Sequence, residues 1–198
     1  MGIFSVISLL GGLSIFLYGM DIMGDGLKSS SSKALKSMLE KVTHSAVLGM
    51  LTGTLVTSVI QSSTATIVLT VGLLSAGILN LRQSISIVMG ANIGTTVTAM
   101  LASIGSSKAA RRTALMHLLI KILNAIVFFI MVSFLPITEW VEVLTPNDPM
   151  RQIANAHMIF NIVGVICFFP FTNQLVKLVE LIIPGEDNSI VAHRLQFL

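Results

Sequence analysis

Gly53-Thr-Leu-Val-Thr-Ser-Val-Ile-Gln-Ser-Ser-Thr-Ala-Thr-Ile-Val-Leu-Thr70 is the stretch on which the fold turns. It lies inside a run from Val42 to Leu81 that contains no Asp, Glu, Lys or Arg. Its middle, Thr57-Ser58-Val59-Ile60-Gln61-Ser62-Ser63-Thr64, is nevertheless polar. At about 1.5 Å per residue, flanks of roughly 15–20 residues make short or near-full membrane helices. Lipid cannot satisfy an irregular polar segment, which survives at depth only against protein or a watery cavity. A polar bend between two apolar arms is therefore expected to be a re-entrant helical hairpin, delivering hydroxyls and an amide to a site inside a membrane.

The whole chain agrees with that reading. Of its 198 residues 54% are apolar and 11% charged, against about 25% charged in a soluble domain. The expected class is an all-α, multi-pass integral protein of the cytoplasmic membrane. The net charge of +3 is what Lys- and Arg-rich cytoplasmic loops produce. No loop joins a basic patch to interleaved aromatics, which argues against a nucleic-acid partner. The single cysteine, Cys167 in an apolar run, excludes an internal disulfide and a Cys-rich metal site and reads as a small buried hydrophobe. No motif pairs a nucleophile with a base, which argues against an enzyme.

Residues 1–184 are expected to form one membrane domain, followed by a polar tail, 185–198. The start of the chain lacks a basic region and a small-residue cleavage site, so 1–27 reads as a first membrane helix rather than a signal peptide. Asp21 and Asp25 near its end suit either a cation or plain solvation. A basic, serine-rich linker, Lys28–Lys41, leads as a surface turn and short amphipathic helix into the hairpin, 42–81. The next segment, 84–104, is interrupted by Gly90-Ala-Asn-Ile-Gly94-Thr95-Thr96. Two glycines flanking Asn92 predict either unwinding, since glycine costs about 1 kcal/mol inside a helix, or close helix packing. After a basic loop, Lys108–Arg112, segment 113–135 recurs as 153–171. Ala114, His117, Ile126, Phe128 and Phe129 of the first are matched by Ala154, His157, Ile166, Phe168 and Phe169 of the second. Pro136 and Pro170 close the copies, with an acidic loop (Glu139, Glu142, Asp148) between them.

Sidedness depends on segment 84–104. If it turns back within the membrane, Lys28, Lys33, Lys36, Lys41, Arg82, Lys108, Arg111, Arg112, Lys177 and Arg194 share one face, and only Arg151 is opposite. If it crosses, the count is six against five, a balance that lets a chain insert both ways up.

The hairpin and the segment after it resemble the sodium/phosphate cotransporter family. The likeness is carried by Thr54-Leu-Val-Thr57-Ser-Val-Ile-Gln61-Ser62-Ser63-Thr64-Ala65-Thr66, by Val71-Gly72-Leu-Leu-Ser-Ala-Gly77 and by Ile87-Val-Met-Gly90-Ala-Asn92-Ile-Gly94-Thr95-Thr96-Val-Thr98-Ala99. Gly12-Leu-Ser-Ile-Phe-Leu-Tyr-Gly19-Met-Asp-Ile-Met is similar to the family's first helix. Ala102–Arg112 and Arg151–Asn161 are similar to its later ones. Family members usually hold two inverted repeats, each with its own Gln-Ser-Ser hairpin, whereas this chain has one hairpin, like one repeat or a half-size version. It also has Ile120-Lys121 where the family favours Phe-Asn.

The resemblance implies sodium-coupled transport of inorganic phosphate, with sodium as the coupling ion and no other cofactor. Two hairpins would then come from a homodimer; the alternative is a non-transporting subunit that needs a separate partner chain. Phosphate would meet Gln61, Ser62, Ser63 and Thr64, where the start of the second arm offers N–H groups and the positive end of a dipole, together with Asn92, Thr95 and Thr96. Sodium would sit on oxygens of Thr57, Ser58, Gln61, Ser62 and Asn92, near the carbonyl end of the first arm. The same small polar residues also serve to glue helices together. Lys121 lies within an apolar helix, where an ammonium is costly. It would replace a coupling cation, pair with the substrate, or snorkel towards the interface near Arg112. His117 and His157, one on each repeated helix, suit helix–helix hydrogen bonds better than a metal.

Overall fold

In a computed structural model of the chain, residues 2–30, 39 and 41–185 are described. Most of the basic linker and nearly all of the expected polar tail lie outside them. Among the described residues the regular structure is entirely helical. α1 is Ile3–Ser30, and the two hairpin arms are α2, Ala46–Ile60, and α3, Ser63–Ser75. α4 (Leu81–Gly94) and α5 (Thr96–Ala102) come next, then α6 (Lys108–Phe134), α7 (Ile137–Leu144), α8 (Pro149–Phe168) and, after a short 3-10 turn at Phe169–Phe171, α9 (Thr172–Ile182).

Local chemistry sets most of these boundaries. Ser45, Ser62, Asn80, Ser107 and Asp148 each accept a backbone N–H from the first turn of the helix they precede, satisfying one of its orphan donors. Asn80 and Gln83 complete a reciprocal capping box. Helix α3 stops at Gly77, whose φ of +67° lets Ile78 and Leu79 turn their N–H groups back to the Leu73 carbonyl, a left-handed stop that glycine tolerates best.

Helix α4 is the axis of the molecule and is buried from Ser84 to Asn92. Its apolar side joins α3, α6, α7 and α8 in one core built on Ile85, Val88, Met89, Phe128, Ile153 and Phe160. Phe128 and Phe160 meet edge to face, with centroids 5.3 Å apart. Its other side lies against α2, and the two helices run parallel: Gly49 faces Ser86, Gly53 faces Ile87, Met50 faces Gly90, and Thr54 and Thr57 face Gly94. A Cβ on Gly53 would overlap the Ile87 carbonyl, and one on Gly90 the Met50 carbonyl. The glycines therefore allow backbone-to-backbone approach, and Thr54 Oγ1 donates across the seam to the Gly90 carbonyl, 3.1 Å away.

Of the two alternatives at Asn92, close packing is the one seen: α4 stays regular through Gly94, and the break is one residue, Thr95, within the interruption expected there. Two expectations are corrected here. The basic segment Lys108–Arg112 is the first turn of α6 rather than a loop, because Ser107 caps it. The acidic connection contains α7, which buries Ile137 and Val141 one turn apart against the core while Glu139 and Glu142 stay exposed.

Leu81–Ala102, Lys108–Phe134 and Pro149–Ile182 are each long and apolar enough to cross a membrane. Their outward residues, among them Ile122, Ile126, Ile130, Ile162, Val165 and Ile166, are exposed and apolar, as a lipid-facing belt requires. Arg82 shares a cleft with Phe129 and Ser133, so α4 begins at the end where α6 finishes. Arg82 and Arg151 therefore lie at one end of the bundle and Lys108, Arg111, Arg112 and Lys177 at the other.

Candidate functional site

The bend between α2 and α3 is two residues long. Gln61 ends α2 in the left-handed region (φ 58°, ψ 25°) with its N–H on the Thr57 carbonyl at 2.7 Å. Ser62 is extended and caps α3, its Oγ accepting from the Ala65 N–H at 3.2 Å. The carbonyl end of one helix and the N–H end of the next are thus adjacent, with opposite partial charges. Among the described residues no hydrogen bond is made by the hydroxyls of Ser63 and Thr64 or by their backbone N–H groups. These four donors are unspent.

Other polar groups brace the bend. Gln61 Nε2 donates to the Ser58 carbonyl, and Thr98 Oγ1 donates to Gln61 Oε1, tying the bend to α5. Thr57 Oγ1 donates to Thr66 Oγ1 across the two arms at 2.9 Å, and Thr66 Oγ1 donates to the Ser62 carbonyl at 3.2 Å. Ser58 Oγ donates to the Thr54 carbonyl at 2.7 Å. Thr57 and Thr66 are buried, Ser58, Ser62 and Ser63 half-buried, and Gln61 and Thr64 exposed. The bend is closed on the side of its arms and open on the other.

Asn92 anchors a second cluster in the middle of Leu81–Ala102. Its Nδ2 donates to the Val88 carbonyl at 3.2 Å, its carboxamide meets His157 Nε2 (3.0 Å from Nδ2 and 3.4 Å from Oδ1), and its Oδ1 accepts from Lys121 Nζ at 3.3 Å. One buried carboxamide thereby joins α4, α6 and α8. Thr95 Oγ1 and Thr96 Oγ1 each donate, at 2.7 Å, to the carbonyls of Asn92 and Ile93. They satisfy the acceptors that the irregularity at Thr95 frees. Thr95 is half-buried and Thr96 is fully buried. Neither hydroxyl touches the bend directly; the two clusters communicate through Thr57 against Gly94 and Gln61 against Thr98.

The internal repeat does not produce matched surroundings. His157 reaches Asn92, whereas His117 lines a cleft of about 540 Å³ with Arg112, Met116, Val176 and Glu180. Lys121 turns inward to Asn92, whereas Asn161 donates to the His157 carbonyl of its own helix at 2.8 Å. Residues not singled out from sequence also matter: Thr54, Thr66 and Thr98 brace the bend. All three lie within the stretches that carry the family resemblance. The described residues hold no group of three His, Cys, Asp or Glu that could bind a metal. Any cation here would meet neutral oxygens, the donor set of an alkali or alkaline-earth ion rather than a transition metal. Asp25 is exposed and belongs to neither cluster, and the side chain of Asp21 lies outside those described.

A family model described as Na+/Pi-cotransporter matches residues 15–183. The uncharacterized protein YqeW of Bacillus subtilis is 35% identical over 69% of this chain and 44% of its own length. The putative inorganic phosphate export protein YjbB of Salmonella typhimurium is 26% identical over 88% of the chain and 32% of its own. Human sodium-dependent phosphate transport protein 2B is 34% identical over 49% of the chain and 14% of its own. The chain thus spans less than half the length of these relatives. No solved structure matches. With the match running from the first helix to the end of the last, through both polar clusters, this chain belongs to the Na+/Pi-cotransporter family.

Proposed function

We propose that this chain carries inorganic phosphate, coupled to sodium, across the cytoplasmic membrane, with a second copy supplying the second hairpin. The observation that carries the reading is the set of unspent donors on Ser63 and Thr64, at the start of a helix too short to cross. Arms of 15 and 13 residues reach only about 20 Å, against an apolar thickness of about 30 Å. The bend bonds to Thr98, six residues past Asn92, which is about 9 Å along a helix and still inside a half-thickness of about 15 Å. This supports a re-entrant hairpin whose tip lies off-centre, towards the α5 end. In this arrangement Gln61, Ser62, Ser63 and Thr64 receive the anion. Oxygens of Thr57, Ser58, Gln61 and Ser62, with the α2 carbonyl end, receive sodium, and a further cation position lies at Asn92 Oδ1, the atom that Lys121 touches. Asn92, Thr95 and Thr96 form the second group of residues for the anion.

The open flank of the bend supports a second copy, since one chain leaves the anion facing lipid or water on that side. Basic residues at both ends of the bundle support insertion of copies in opposite senses. The other reading, a subunit that works only with a different chain, draws on the 44%, 32% and 14% coverage of its relatives.

Uptake of labelled phosphate into proteoliposomes holding this chain alone tests the proposal, with a sodium gradient imposed in either direction. Sodium-driven uptake is expected, and a Ser63→Ala/Thr64→Ala double variant should lose it. Uptake only with a co-expressed partner favours the subunit reading. Full activity in the double variant overturns the assignment of the bend.

A further inference from the structure

Lys121 occupies a place that none of the family findings explains. It lies near the middle of α6, thirteen residues from each end, about 20 Å along the helix from either. A lysine side chain cannot span that distance to water, and its Nζ points instead to Asn92 Oδ1, 3.3 Å away. The ammonium carries three protons, and this contact is its one hydrogen bond among the described residues. It forms no ion pair there; the sequence has no Asp or Glu between Glu40 and Glu139, nor between Asp148 and Glu180. A half-buried cation in the middle of an apolar helix is costly without a counter-charge, so the cluster holds positive charge that its own residues do not neutralise. Asn92 Oδ1, the oxygen that Lys121 touches, is also the hard, neutral donor that a small cation would take. The internal repeat supplies a comparison: at the equivalent register the second copy has Asn161, a neutral side chain.

We propose that the Lys121 ammonium is a tethered cation standing in for one coupling sodium ion at Asn92, so that this chain moves its anion with one sodium fewer than a version with a neutral residue there. The inference rests on the carrier reading for its transport consequence, but not for its binding consequence. A covalently held charge keeps the Asn92 oxygen occupied and lends the passing anion a counter-charge that never leaves the protein. Replacing it with a neutral side chain frees the oxygen for an ion from solution.

Two measurements at fixed pH test this. The first is thermal unfolding of the purified chain in detergent, in sodium against choline chloride at equal ionic strength. Lys121→Asn should gain at least about 3 °C more stabilisation from sodium than wild type, by preferential binding to the folded state. Lys121→Arg, which keeps the charge, should match wild type. Lys121→Gln, equally neutral, gives the same reading should the Asn variant fail to fold. The second is the steepness of phosphate uptake with sodium concentration, which should rise by one ion in the neutral variants. Equal sodium responses in wild type and the neutral variants overturn the inference, as does an arginine variant that behaves like the neutral ones. If no variant takes up phosphate, the carrier reading fails, and the unfolding measurement alone decides the role of Lys121.

Discussion

Substituting Gly53 by alanine tests the packing that holds the bend in place. The added methyl would lie 3.0 Å from Ile87 Cα, with the Ile87 carbonyl closer still. Carbon atoms prefer about 3.5–4.0 Å, so α2 and α4 would have to part by at least about 0.5 Å at that level, and further to clear the oxygen. A gap of about 0.5–1 Å forfeits a quarter to a half of each dispersion contact along the seam. It would also lengthen the 3.1 Å bond from Thr54 to Gly90. Overpacking of this kind costs about 1–3 kcal/mol. Against it stands the gain of roughly 1 kcal/mol from replacing glycine by alanine within a helix. Since the obstruction is backbone and cannot rotate away, the upper part of the range applies, and the net effect is about 1–2 kcal/mol of destabilisation. Gly12→Ala in α1 is the internal control, because nothing lies within 4 Å of its added methyl, so only the favourable propensity remains. Unfolding of the detergent-solubilised protein, followed by intrinsic fluorescence or by loss of the monodisperse peak, should show Gly53→Ala melting several degrees lower and Gly12→Ala unchanged or higher. Equal melting of Gly53→Ala and Gly12→Ala would refute a seam built on backbone contact.

Other substitutions separate binding from stability. Ser62→Ala should cost about 1 kcal/mol through loss of the α3 cap, read as a lower melting temperature. Ser63→Ala, whose hydroxyl has no internal partner, should shift stability by no more than about 0.5 kcal/mol while weakening phosphate uptake. Thr98→Val removes the donor to Gln61 Oε1 and should impair uptake much as Gln61→Ala does; the double variant should be no worse than either single one, the sign of a shared interaction. Gly164→Ala would place a methyl 2.5–2.7 Å from the Asn124 carboxamide, displacing the bond from Asn124 Nδ2 to the Phe160 carbonyl. That should cost about 1–3 kcal/mol in unfolding measurements, with Asn124→Ala/Gly164→Ala recovering part of the loss.

The arms and the bend were legible because a long uncharged run with a polar middle has few other ways to satisfy its backbone. That the second arm starts at the run Ser62 to Thr64 was legible too, since hydroxyl residues before a helical run suit its first N–H groups; which of them caps the helix was not. Glycine was harder to read. At Gly90 and Gly94 the same residue serves unwinding and close approach, and only the facing backbone of Met50 and Thr54 shows that approach is its use here. Helix α7 was hidden because eight residues hold too few turns for their period to stand out from acidic neighbours. The bonds that assemble the clusters, Gln61 with Thr98 and Asn92 with Lys121 and His157, join residues 37, 29 and 65 positions apart. Nothing local in the chain encodes such pairs; packing of the helices does.

The glycine seam also limits how such a molecule can change shape. With carbonyls resting on Cα atoms at Gly53 and Gly90, α2 can neither slide along α4 nor roll over it without climbing out of both notches. Any alternation that opens the bend first to one side of a bilayer and then to the other must therefore carry the bend and the Thr95 irregularity together, as a single piston. The yielding surface would then be the bulkier, more forgiving contact of that pair with α6 and α8.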